Sequence, residues 1–139
     1  MKNKPLRLVI DTNWWVSFVI KKYEGPFLAV LTEPRFRIFY SDELATEVRG
    51  TMQNPKMAKY FSPRFIGDFL AFFPKELEKV RVRSVVEVCR DPKDNFLLAL
   101  SKDAKADFLI TGDKDLLVLG QFEMTKILTL TAFLEAVKN

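Results

Sequence analysis

Apolar positions change period repeatedly along this chain, and each change marks an element. Leu6–Ile10 (LRLVI) is a short apolar run of the kind that forms a buried strand, and residues 12–22 then repeat at helical spacing. Gly25-Pro26 breaks the chain, and residues 27–32 predict a second helix ending before Pro34. Phe36–Tyr40 is the next predicted strand. Ser41 then stands as the N-cap of a helix to about residue 52, with Leu44, Val48 and Met52 on its apolar side. Asn54-Pro55 interrupts, and a short helical piece follows to residue 60. Ser62-Pro63 is a cap and first-turn pair, beside Phe61, Phe65, Phe69 and Phe72/Phe73, which recur at helical spacing until Pro74. Residues 80–86 alternate Val with Arg and predict a third, more exposed strand. Asp91-Pro92 opens a helix to about residue 105. Residues 108–111 predict a fourth strand, 114–119 a short helix and 126–129 a fifth strand, and Thr131 caps a last helix over 132–138.

Strands alternating with helices predict an α/β domain with a mostly parallel sheet. Residues 1–139 carry no repeat, linker or low-complexity segment, so one domain is expected. The phenylalanine stripe is read as core, with a dimer face as its other use.

Composition narrows the chemistry more than the fold. The chain is 48% hydrophobic and 29% charged, ordinary for a globular protein, and no apolar run approaches the roughly 20 residues of a membrane span. The N-terminus is basic, but LVI is too short for a signal-peptide core, so the cytoplasm is expected. One cysteine, Cys89, precludes an internal disulfide. Histidine is absent, which excludes Ser/His and Cys/His triads and essentially all ordinary zinc sites. Carboxylates, hydroxyls, Lys and Arg remain.

The net charge of +4 is uneven: residues 1–60 hold ten Lys/Arg against six Asp/Glu, whereas residues 61–139 hold twelve of each. Between Val48 and Gly67 there is no acid, and Arg49, Lys56, Lys59 and Arg64 interleave with Tyr60, Phe61 and Phe65. Such a stretch is either a nucleic-acid footprint or a solvated helix face over a core stripe.

Four acids stand at informative places: Asp11 after strand one, Glu47 in the Ser41 helix, Asp94 in DPKDN, and Asp113 one glycine beyond strand four. Singly, Asp11, Asp94 and Asp113 are adequate helix caps; with Asp91 as N-cap and Pro92 at N1, Asp94 falls at N3. Glu47 lies about 60° from Leu44 on the helix wheel and Glu43 about 40° further toward solvent, so Glu47 is the better placed. Ligands of open parallel sheets bind beyond the carboxyl ends of strands, where Asp11 and Asp113 meet if their strands are neighbours. Carboxylates about 4 Å apart repel by about 4 kcal/mol at an effective dielectric near 20, so a shared crevice lifts pKa values or takes up a cation. An all-oxygen donor set suits Mg²⁺ or Mn²⁺.

The motifs together resemble the PIN-domain family of metal-dependent nucleases. The matching pieces are Asp11-Thr12-Asn13 after a hydrophobic strand with Ser17 following, Ser41 followed by Glu47, Asp91-Pro-Lys-Asp94-Asn, and Thr111-Gly112-Asp113-Lys-Asp115-Leu-Leu. The ending ILTLTAFLEAV is similar to that of the toxin-like subgroup. The resemblance implies a three-layer α/β/α sandwich with a central parallel five-stranded sheet of order 3-2-1-4-5. It implies Asp11, Glu47, Asp94 and Asp113 as the catalytic and metal-binding quartet, Thr12, Asn13 and Thr111 as supporting groups, and Asp115 as an extra acid. The implied activity is Mg²⁺- or Mn²⁺-dependent cleavage of RNA, with Arg49, Lys56, Lys59, Arg64, Lys93 and Lys114 guiding the backbone. An antitoxin protein and a second copy of the chain are the implied partners. One local departure is Trp14-Trp15, bulkier than the small aliphatic pair usual there; it is read as core packing or as a stacking surface for a base. A haloacid-dehalogenase-type phosphatase would need an aspartate where Asn13 stands, and a receiver domain would need one ending strand three. A housekeeping RNA-processing nuclease and a catalytically silent module binding RNA or protein are the remaining alternatives.

Overall fold

The computed structural model describes residues 4–22 and 25–138. At its centre lies β1 (Leu6–Ile10), flanked in parallel by β2 (Phe36–Tyr40) and β4 (Phe108–Ile110). Val9 pairs with Phe39 on one side and Leu109 on the other. Consecutive strand side chains point to opposite faces, yet Leu8, Val9 and Ile10 are all fully buried. Both faces of the sheet are therefore covered, which is why this strand reads as a continuous apolar run rather than an alternation.

Among the described residues the sheet has six strands, in the order β3 (Glu78–Lys79), β2, β1, β4, β6 (Thr125–Leu128) and β5 (Gln121–Phe122). The short β3 lies parallel outside β2, and β6 parallel outside β4. A two-residue β5 pairs antiparallel with β6. The helices are α1 (Thr12–Ile20), α2 (Pro26–Thr32), α3 (Asp42–Gln53), α4 (Pro63–Glu76), α5 (Asn95–Asp103), α6 (Lys114–Leu117) and α7 (Leu130–Ala136). No helix among the described residues is long and apolar enough to cross a membrane.

Aromatic packing anchors the helices. Trp15 is 1% exposed and meets Phe27 edge-on at 5.3 Å and Phe73 at 5.0 Å. Phe133 of α7 packs edge-on against Phe36 and Phe108, near the far ends of their strands. Along α4, Ile66, Phe69, Leu70 and Phe73 are buried, whereas Phe65 and Phe72 are half-buried and wall an apolar cavity of about 520 Å³. Ser62 begins this helix by accepting the Phe65 N–H at 3.1 Å. Loss of such a cap costs about 1 kcal/mol, so Ser62→Ala should lower the unfolding free energy by that amount, read as a lower urea midpoint with an unchanged slope.

Five details differ from the sequence expectation. The predicted strand at 80–86 is absent and only Glu78–Lys79 pair. The N–H groups of Arg83 and Ser84 go instead to the Asp103 carboxylate at 2.6 and 2.9 Å, so this segment is strapped to the end of α5 rather than laddered to a neighbour. Its alternation reflects one side packing inward, with Val80, Val82 and Val86 half-buried. A sixth strand, β5, is too short to show any period. Its hairpin turns at Glu123, which takes a positive φ of 50°. Pro74 does not end α4 but sits in its last turn, where the Leu77 N–H still closes onto the Phe73 carbonyl at 2.8 Å. Thr129, not Thr131, caps α7, because a start at Leu130 buries both Leu130 and Phe133. Asp91-Pro92 opens a 3₁₀ turn, Pro92–Asp94, with α5 beginning only at Asn95, so Asp94 is the third residue of that turn and not of the α-helix.

Candidate metal centre

The site forms where β1 and β4 end side by side. The Asp11 N–H donates to the Ile110 carbonyl at 3.0 Å, tying the two strand ends together. Chain order reverses here, since β2 lies on one side of β1 and β4 on the other, and such switch points open a crevice at the carboxyl ends of strands.

Thr111 joins the first two acids. Its hydroxyl donates to Asp11 Oδ2 at 2.5 Å, and its oxygen accepts the Asp113 N–H at 3.0 Å. Asp11 and Thr111 are both buried, 7% and 0% exposed. Burial raises the Asp11 carboxyl above its ordinary value; the Thr111 bond opposes the rise and the Asp113 charge adds to it. Asp113 in turn caps α6 by accepting the Asp115 N–H at 2.8 Å.

Asp94, Asp113 and Asp115 each bring one carboxylate oxygen within 4.8 Å of the other two. Asp94 makes no capping bond at the start of α5, the capping being done by Asp91, which accepts the Lys93 N–H at 3.0 Å. Asp94 Oδ2 is buried without a hydrogen-bond partner. Burial first, then the Asp113 carboxylate, with Asp91 and Asp11 behind it, pushes the Asp94 carboxyl up to about 7. The same field reaches the single thiol: burial, then Asp94, Asp113, Asp115 and Asp91, pushes Cys89 up to about 11.

One supporting residue escaped the sequence reading. Asn95 Oδ1 accepts the Val88 and Cys89 N–H groups at 3.2 and 2.9 Å, which fixes the loop that delivers Asp94. Its place at the end of the DPKDN motif, directly after Asp94, was the sequence signal for it, although no role was assigned to it there.

The donor set fits a hard divalent cation. It is all oxygen, three carboxylates are concentrated on one point, and a buried Asp94 oxygen has no other partner, as such a cation requires. Asp11 lies behind this group, in electrostatic contact with Asp94 and Asp113. Glu47 stands outside it, exposed on α3 beside a shallow cavity shared with Glu43 and Phe96, the latter two residues beyond Asp94. Thr12 is buried, and its Oγ1 has no hydrogen-bond partner. Asn13 is exposed and lines an open cavity of about 410 Å³ with Trp14, Ser17, Gly112 and Asp113. Arg49, Lys56, Lys59, Arg64, Lys93 and Lys114 are all exposed; Lys93 and Lys114 each adjoin an acid of the group.

A family model for the PIN domain matches residues 7–115, which span every acid of the site. This chain belongs to the PIN-domain family. PIN domains are typically metal-dependent nucleases, and a cluster of three acidic residues is present here. Among solved structures, this PIN domain is similar to the PIN domain of T. brucei RRP44, at 13% identity and a TM-score of 0.47, over 97% of this chain and 82% of that one. No curated protein matches it in sequence.

Proposed function

We propose that this PIN domain is an endoribonuclease dependent on Mg²⁺ or Mn²⁺ and that it acts as the toxin of a toxin–antitoxin pair. The observation that carries the nuclease reading is the convergence of Asp94, Asp113 and Asp115 around a buried, donor-less oxygen at the switch point of the sheet. Those three would hold the cation, with Asp11 behind them and Glu47 completing the shell from α3. Bound there, the cation would acidify a water and offset the charge that builds on the phosphorane oxygens.

The remaining work falls to the chain. Thr111 keeps Asp11 and the Asp113 backbone in fixed relation, and Asn95 holds the loop before Asp94. Lys93 and Lys114 draw the RNA backbone toward the acids, and Arg49, Lys56, Lys59 and Arg64 extend the positive surface. In-line hydrolysis of a phosphodiester here leaves a 5′-phosphate and a 3′-hydroxyl. Support for the toxin role is the resemblance of the ending ILTLTAFLEAV to toxin-like members, and the antitoxin and a homodimer are proposed partners on that footing.

Purified protein should cleave RNA with Mn²⁺ or Mg²⁺ present and stop when a chelator is added. Cleavage undiminished by chelator would rule out the cation-dependent mechanism. Induced expression should arrest bacterial growth; arrest absent from cells containing active nuclease would remove the toxin role and leave an RNA-processing one.

A further inference from the structure

Both adjacent tryptophans pack against the core, but only one is sealed within it. Trp15 is 1% exposed and enclosed by Phe27, Phe72 and Phe73. Trp14 is half-buried, and its ring stacks on Phe27 at 6.1 Å with an interplanar angle of 24°. It also lines the open 410 Å³ cavity, whose other walls are Asn13, Ser17, Gly112 and the acid Asp113. Phe27 is itself 2% exposed, so the stacked contact locks the indole in place.

We infer that Trp14 is a base-stacking platform that seats an unpaired nucleobase next to the phosphodiester to be cut. This rests on the nuclease reading above and names the substrate feature that the same site selects. Five observations support it. The cavity volume lies at the small end of the roughly 300–1,000 Å³ range of ligand pockets. Its aromatic wall is rigid, so stacking costs little side-chain entropy. Asn13 and Ser17, one helical turn apart on α1, offer an amide and a hydroxyl to the edge of a base. Asp113 belongs both to this cavity and to the acidic group, which leaves a base seated here adjacent to the cutting site. Gly112 adds no side chain, and a Cβ built there meets nothing within 4 Å, so the wall between the two is low. A base held in a duplex cannot present its face to the indole, so the platform selects single strands.

Tryptophan emission provides the test, because the chain has only two and Trp15 is sealed from solvent. The full chain in chelator, where no cation-dependent cutting occurs, is titrated at low salt with a labelled oligoadenylate and with a blunt RNA duplex of equal length. Binding is followed by anisotropy and by indole emission. The single strand should quench emission and the duplex should not. Trp14→Ala should weaken single-strand binding on the order of tenfold, within the usual contribution of one stacked base, while Trp14→Phe retains most of it. In cleavage with Mn²⁺, the alanine variant should raise KM with kcat nearly unchanged. Circular dichroism melting of both variants separates a lost platform from a lost fold. Binding of the single strand without an emission change, or equal affinity of Trp14→Ala, overturns the platform while leaving the nuclease reading intact. Failure of the oligonucleotide to bind overturns the platform, and cleavage with Mn²⁺ then decides the nuclease reading by itself.

Discussion

Asp94→Asn should reduce cation-supported RNA cleavage by roughly 10²–10³-fold, the usual cost of removing one preorganised electrostatic contact at a reacting centre, and should raise the melting temperature of the cation-free protein. The two signs follow from one geometry. Asp94 places a buried, donor-less oxygen against Asp113 and Asp115, so its charge helps to hold a cation and is repelled when none is bound. An amide removes that charge and can donate to a neighbouring carboxylate. Asp94 is free of capping duty, so the helix does not lose its start. Assays of cleavage and of thermal unfolding in chelator, on one preparation, check both. A variant that lost activity and also melted lower would show Asp94 to be a structural residue, and one that kept full activity would end the assignment.

Much of the framework was legible because burial on both faces leaves a plain mark. LRLVI and FRIFY each pair in the sheet where they were expected, and Ser41 and Ser62 cap α3 and α4 as their positions implied. The adjacency of β1 and β4, expected from Asp11 and Asp113, is present in register from Leu8 to Ile10. What the sequence could not disclose were features set by single tertiary bonds. Asp103 takes the N–H groups of Arg83 and Ser84 and so converts an alternating stretch into a strap. Nothing local to residues 80–86 encodes that partner. The site shows the same division. Asp94 and Asp113 fall together, but Asp115 occupies the tight group while Glu47 lies outside it. A helix wheel states which way Glu47 faces, not how far α3 stands from α5. Asp115 was harder to see for the opposite reason: in a single-turn helix, the cap and the residue it caps lie beside each other.

Without divalent cation, stability should fall as pH rises from about 4 toward 7, and the cation should cancel that fall. Asp94 titrates at about 7 in the folded chain against an ordinary 3.8. Between those values the folded protein keeps a proton that the unfolded chain has released, so unfolding becomes easier with each step up in pH. The contribution is fully present below 3.8 and gone above about 7. Asp11, raised by burial, acts in the same direction. Glu78, lowered by its bond to Arg37, and Asp103, lowered by its bonds to Ser84 and Arg83 against the opposing effect of burial, act oppositely. Their stabilisation is present above 4.5 and 3.8 and is lost only as pH drops further. The cation-free protein should therefore be most stable at about pH 4, losing stability above it through Asp94 and Asp11 and below it through Glu78 and Asp103. At neutral pH a cation at a hundred times its dissociation constant adds about 2.7 kcal/mol, on the order of 10 °C in melting temperature for a domain of this size. Scanning calorimetry across pH 4–8, with chelator and with Mn²⁺, gives both curves. Asp94→Asn should flatten the cation-free slope and remove most of the Mn²⁺ shift, whereas Glu47→Gln should leave the slope in place, since Glu47 stands apart from the tight acidic group. A slope unaltered by Asp94→Asn would mean that the charge repulsion, and with it the reason for a cation, lies elsewhere.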